Sequence, residues 1–213
     1  MTKSFENLLV RIRACRICKD EPRGKPLPHQ PRPVLQAGEA ARILIAGQAP
    51  GTRVHASGAP FTDPSGDRLR EWLGVDAKAF YDNRNFSIVP MGFCFPGLTP
   101  DGSDLPPRRE CAPAWRAALM AGMADVQLVI CLGGHAMRWH MAEHFGGSVD
   151  AAVRNWRTTY ALTPKVIPLP HPSWRNNSWL NRNPWFAAEL LPVLRRDVAR
   201  LLPSSLAGGV FTG

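Results

Sequence analysis

Apolar residues in this chain fall into two kinds of pattern, short uninterrupted runs and helically spaced positions. Phe5, Leu8, Leu9 and Ile12 recur at helical spacing and predict an amphipathic helix over Ser4 to Ala14. The next twenty residues have no periodicity and read as an extended surface segment. An apolar run, Arg42 to Ala46, then predicts a buried strand that ends in the loop Gly47-Gln48-Ala49-Pro50-Gly51. Further strands are expected at Phe86–Pro90, Val126–Leu132 and Lys165–Leu169. Helices are expected through Leu69, Trp72 and Leu73, capped by Ser65 or Asp67 and closed by Gly74, then over Ala112–Met123 and His135–Phe145, and from Pro184 onward with a kink at Pro192. Strands that alternate with helices imply an α/β fold whose mostly parallel sheet is covered on both faces. The loops after Ala46, Val89 and Leu169 then leave the same C-terminal sheet edge, where such folds bind ligands.

The 213 residues are enough for a full hydrophobic core, and 45% hydrophobic with 20% charged residues is ordinary globular composition. One domain over 1–213 is expected, with the cysteine-containing segment 1–38 packed against it. Charge narrows the partners: 26 Lys and Arg against 17 Asp and Glu give +9, which favours a polyanion such as DNA. No run approaches a membrane span, and the first residues carry charges where a signal peptide has its apolar stretch, so a cytoplasmic monomer away from membranes is expected. Gln48-Ala49-Pro50-Gly51 is not followed by the Lys-Ser/Thr pair of a phosphate-binding loop, which argues against ATP hydrolysis.

Five cysteines, an odd number, argue against a disulfide framework. Cys15 and Cys18 form a CxxC, and Cys94 and Cys111 bracket a proline-rich loop. Four soft ligands in two pairs suit zinc or an iron–sulfur cluster, with a redox CxxC or unrelated core thiols as the alternatives. Cys131, inside an apolar strand, reads as core. His29, His55, His135, His140 and His144 need no catalytic role, and the last two read as helix-surface residues.

In this order along the chain, Cys15-x-x-Cys18, Gly47-Gln48-Ala49-Pro50-Gly51, Gly58-Ala59-Pro60-Phe61-Thr62-Asp63-Pro64-Ser65-Gly66, Cys94 with Cys111, and His171-Pro172-Ser173-Trp174-Arg175-Asn176 resemble the uracil-DNA glycosylase superfamily. The iron–sulfur branches, families four and five, are the nearest, and the His-Pro-Ser-x-Arg-Asn form is similar to the single-strand-selective monofunctional branch. The resemblance implies a three-layer α/β/α sandwich with a central four-stranded parallel sheet. It implies monofunctional hydrolysis of the N-glycosidic bond of uracil, and of other deaminated bases such as hypoxanthine and xanthine, extruded from DNA. It also raises the metal reading to a [4Fe-4S] cluster on Cys15, Cys18, Cys94 and Cys111, with zinc as the alternative. A non-catalytic damaged-DNA-binding protein of the same fold is the competing reading.

Such a reaction puts positive character on the sugar and negative charge on the departing base, and a site must stabilise both. His171, between two prolines, is expected to donate to the pyrimidine O2, and Phe61 to stack on the base. Gln48 stands where family four carries a glutamate, and Ala49 where other branches carry an aspartate, so the acid that activates water must come from elsewhere. Asp63 is the first choice, by its likeness to a family-five segment, and Asp67 the second. Gln48 and Ala49 are expected against the base. Pro90 replaces the asparagine that reads the base in family four, so backbone readout through Met91, Gly92 and Phe93 and a permissive pocket are expected. Ser173, Trp174, Arg175, Asn176 and Arg53 are expected on DNA. Lys78 and Lys165 lie away from the motif loops, which argues against a Schiff-base lyase.

Overall fold

A computed structural model of the chain describes residues 1–203. In chain order the helices and strands are α1 (Lys3–Arg13), α2 (Ile17–Asp20), β1 (Ile43–Ala46), α3 (Thr52–Ser57), α4 (Pro64–Leu73), α5 (Ala77–Phe80) and β2 (Phe86–Ile88). They continue as α6 (Cys111–Ala121), β3 (Leu128–Leu132), α7 (Gly134–His140), α8 (Val149–Arg154), α9 (Trp156–Tyr160), β4 (Lys165–Leu169), α10 (Asn177–Arg182) and α11 (Leu191–Leu201). All four strands are parallel, in the order β2-β1-β3-β4. Helices flank this sheet as in a three-layer α/β/α sandwich, the architecture expected from the sequence.

Strands β1 and β3 are apolar along their whole length because both faces are covered. Every residue of β1 and β3 is buried. Helix α1 joins the core through Phe5, Leu9 and Ile12. Its packing on α6 is close enough that a Cβ on Gly122 would lie 2.4 Å from the Phe5 ring. The chain order reverses direction across the sheet at β1, so the loops after β1 and β3 diverge and open a crevice at the C-terminal edge.

Three local expectations are corrected. Asp63, not Ser65 or Asp67, occupies the N-cap of α4, with Pro64 in the first turn and Gly74 closing the helix at φ 69°. The helix expected over His135–Phe145 ends at His140 and continues as a short 3-10 turn, Ala142–His144. Before α11 the residues Phe186–Leu190 form a π-helical turn that runs directly into α11, and Pro192 sits in the first turn after it. Among the described residues no helix is long and apolar enough to cross a membrane.

Candidate active site

The crevice at the C-terminal sheet edge is a pocket of about 300 Å³, a volume suited to one small organic ring. The loop after β1 gives it Gly47 to Gly51, the segment leading into α4 gives Phe61, Asp63 and Ser65, and the loop after β4 gives His171 and Arg175. Arg53, on the first turn of α3, also lines it. Thus Gln48, Ala49, Arg53, Phe61, Asp63, His171 and Arg175, chosen from three separate stretches of sequence, share one pocket.

Phe61 is held in an unusual backbone conformation, φ 55°, which non-glycine residues adopt only where the surroundings enforce it. Its carbonyl accepts from the Tyr81 hydroxyl at 2.9 Å, and its ring meets Phe80 edge-on with centroids 6.2 Å apart. Gly66 makes this possible, because a Cβ there would stand 1.9 Å from the Phe61 carbonyl oxygen. Gly66→Ala is therefore expected to displace Phe61, costing about 1–3 kcal/mol in urea unfolding and lowering activity on any ligand the ring stacks against. Unchanged stability and activity would show that the Phe61 backbone is free to shift.

His171 follows β4 directly. Asn176 donates through Nδ2 to its carbonyl at 2.7 Å, and Arg68 of α4 reaches the Ser173 carbonyl at 3.1 Å, so the loop is tied to its own next turn and to α4. Burial lowers the proton affinity of the imidazole, with Arg175 acting in the same direction and Asp63 and Asp104 against it. The ring is consequently neutral at pH 7, with one N–H to donate.

Several expected contacts lie elsewhere. Met91, Gly92 and Phe93 are buried and do not line this pocket. Their N–H groups donate to the carbonyls of Gly47 (2.9 Å) and Gln48 (2.9 Å) and to Cys111 Sγ (3.3 Å), which fixes the β1 loop but leaves no donor for a base. Pro90 does line the pocket. Asp67 is exposed, pairs with Arg70 at 2.5 Å and does not line the pocket. Ser173, Trp174 and Asn176 stand beyond the lining. Trp174 is 72% exposed, beside Arg175, whose guanidinium lies 5.9 Å from its ring centroid.

The metal expectation is corrected. Among the described residues no group of three or more His, Cys, Asp or Glu side chains is arranged to hold a metal ion, so neither a [4Fe-4S] cluster nor zinc is supported. Cys15, Cys18, Cys94 and Cys111 are free thiols that line one small pocket with Pro31, Pro33, Phe93 and Arg108. Cysteine spacing brings the two pairs to the same region without setting a ligand geometry. Burial pushes the Cys94 thiol up to about 12 and raises Cys111 as well. Cys15 Sγ accepts from Trp115 Nε1 at 3.2 Å. Cys131 is fully buried core, as expected.

Two features escaped the sequence reading. Asp104, from the loop between β2 and α6, lines the pocket. Beneath the site Arg116 of α6 is 1% exposed, and its guanidinium donates to the carbonyls of Val89 and Pro90, 3.1 Å each, and to His140 Nε2. His140 is thus no surface residue. Burial, aided by the Arg116 charge, holds its pKa at about 3. The unfolded chain protonates this imidazole near pH ~6.5, so its contribution to stability is complete above that pH and is lost as pH falls toward 3. Urea unfolding is expected to show about 2 kcal/mol less stability at pH 5 than at pH 7.5 from this group alone. A flat profile between those pH values would show that His140 is protonated in the folded chain.

The model of the family described as "Uracil DNA glycosylase superfamily" matches residues 35–195, about three quarters of the chain, and spans every strand and every residue named above as lining the pocket at the C-terminal sheet edge.

Proposed function

The chain belongs to the uracil DNA glycosylase superfamily, and from that membership we propose that it is a monofunctional DNA glycosylase that hydrolyses the N-glycosidic bond of uracil in DNA and leaves an abasic site. The observation that carries this reading is the meeting of a neutral, half-buried imidazole, an aromatic wall and an unpaired carboxylate in one pocket of base size. His171 donates its N–H to the pyrimidine O2 as negative charge develops there, a role in which a neutral donor suffices. Phe61 stacks on the extruded base. Asp63, whose carboxylate has no hydrogen-bond partner among the described residues, takes a proton from the attacking water. The water oxygen bonds to C1′ of the sugar, the electron pair of the C1′–N bond leaves with the base, and the proton returns to the base from solvent.

Selectivity falls to few groups. The wall at Pro90 offers no side-chain hydrogen bond, and the N–H groups of Met91 to Phe93 are already paired. Gln48, whose Nε2 makes only a long 3.5 Å contact to the Leu105 carbonyl, is the amide nearest to free use. We place it against the base edge, next to Ala49, in a pocket that admits hypoxanthine and xanthine as well as uracil. The net charge of +9, with Arg53 and Arg175 on the lining, draws DNA to this face. Trp174 and Ser173 border the path of the strand, so Trp174→Ala is expected to weaken binding of a uracil-containing oligonucleotide about tenfold, the loss of one stacked base. Equal affinity would place the indole away from DNA.

End-labelled DNA containing uracil, single-stranded or opposite A or G, tests the reading. Strand cleavage only after alkali is expected. Cleavage without alkali would point to a lyase, and binding with no cleavage to a damage-binding protein without catalysis.

A further inference from the structure

The pocket lining contains two carboxylates, Asp63 and Asp104. Asp104 belongs to a proline-rich segment without periodicity that nonetheless folds as a tight hairpin. Leu98 and Asp104 pair as an antiparallel bridge, Leu105 N donates to the Gly97 carbonyl at 3.0 Å, and Thr99 N donates to the Ser103 carbonyl at 2.8 Å. The Thr99 hydroxyl adds a bond to the same carbonyl at 2.9 Å, and Gly97 and Gly102 turn the chain at φ 103° and 78°. The hairpin fixes the carboxylate beside the β1 loop, where a Cβ on Gly51 would lie 3.5 Å from its Oδ2. Asp63 enters the same pocket from the start of α4, and both acids act on His171 in the same direction, raising its proton affinity.

Asp104 is exposed, and no hydrogen bond or ion pair among the described residues engages its side chain. A free negative charge at the mouth of a pocket that receives DNA repels phosphate and works against the +9 of the rest of the chain. It does not serve the fold and it opposes binding, which leaves the positive charge that develops on the sugar as its complement.

We propose that Asp104 is a second catalytic carboxylate, facing the sugar from the hairpin and stabilising its oxocarbenium character as the C1′–N bond breaks. The proposal rests on the glycosylase reading and adds a division of labour to it. Asp63 accepts the proton of the attacking water, the electron pair of the broken bond leaves with the base, and Asp104 neither gains nor loses a proton. DNA seated on the rim expels the water that screens Asp104 in the free protein, so its charge acts most strongly in the complex.

Asp104→Asn separates this role from its alternatives, because the side chain is exposed and unpaired and the variant keeps the fold. Single-turnover base release is measured from a uracil-containing single strand at saturating protein, and affinity from the same oligonucleotide carrying thymine. A rate about 10- to 100-fold lower, together with equal or tighter binding, is the expected split. An unchanged rate with tighter binding would reduce Asp104 to a rim charge and overturn the proposal. Rate and affinity falling together would also overturn it, since the carboxylate would then be holding the DNA. Wild-type protein that releases no base under these conditions would overturn the glycosylase reading itself, and this role with it.

Discussion

His171→Ala is expected to lower the single-turnover rate of uracil release by about 10²- to 10³-fold while leaving stability within about 0.5 kcal/mol of wild type. The size follows from what the imidazole does in the proposed reaction. Uracil leaves as an anion, and a donor aimed at O2 is worth far more to that anion than to the neutral base, so removing it acts on the rate and little on binding. The donor is also preorganised. Pro170 and Pro172 restrict the backbone on either side, the Asn176 amide holds the His171 carbonyl at 2.7 Å, and Arg68 ties the following loop to α4. Burial keeps the ring neutral, which leaves one nitrogen bearing a proton for the base and avoids the cost of an unpaired buried cation. A loss of less than about threefold would remove His171 from the chemistry; that threshold, some 0.6 kcal/mol, is well below one charge-assisted hydrogen bond.

Arg116→Met carries the largest expected effect on stability, about 2–4 kcal/mol lost in urea unfolding. Methionine fills much of the same volume but donates nothing, so the carbonyls of Val89 and Pro90, each 3.1 Å from Arg116 Nη1, lose their partner inside the protein. The guanidinium is 1% exposed, no carboxylate among the described residues pairs with it, and burial pulls its pKa down to about 10. It remains charged at pH 7 and distributes its donors over two carbonyls and His140. Pro90 forms part of the pocket wall, so the same substitution is expected to slow base release through a loosened wall. It should also weaken the loss of stability between pH 7.5 and pH 5, because the Arg116 charge helps hold His140 neutral. A buried charge can be replaced by apolar side chains without loss in some proteins. A neutral or stabilising Arg116→Met would place this one in that class and separate the Val89–Pro90 carbonyls from the integrity of the site.

What could be read from the sequence is what short-range pattern encodes. Apolar runs bounded by glycine and proline mark β1, β3 and β4 because a parallel strand covered on both faces has no polar side to interrupt it. The loops that follow β1 and β4 carry Gln48 and His171 within a few residues of the strand ends, so locating the strands located the pocket. Phe61 and Asp63 followed from the likeness of the segment Gly58 to Gly66 to the glycosylase superfamily, ahead of the helix signal of Leu69, Trp72, Leu73 and Gly74.

Features set by contacts between distant segments were illegible. Asp104 sits in a proline-rich stretch whose hairpin is closed by the Leu98–Asp104 bridge and by loop hydrogen bonds, none of which leaves a periodic trace. Arg116 looks like a solvent-facing position of α6, and His140 like one of α7, until the two helices bring them together beneath the end of β2. Backbone readout by Met91 to Phe93 seemed open because pairing of those N–H groups with the β1 loop depends on tertiary placement. Cysteine spacing indicated a shared location, and Cys15, Cys18, Cys94 and Cys111 do share a pocket. Whether thiols can bind a metal depends on their mutual geometry, which spacing does not specify and which the fold does not provide.

The account turns on cleavage of the base from the sugar, and the most direct measurement is mass spectrometry of the small molecules released from a uracil-containing oligonucleotide incubated with the full chain. Free uracil, in equal amount to alkali-labile sites in the strand and absent with His171→Ala, is the predicted result. Intact DNA with no free base, although the protein binds the oligonucleotide and is folded, would contradict it.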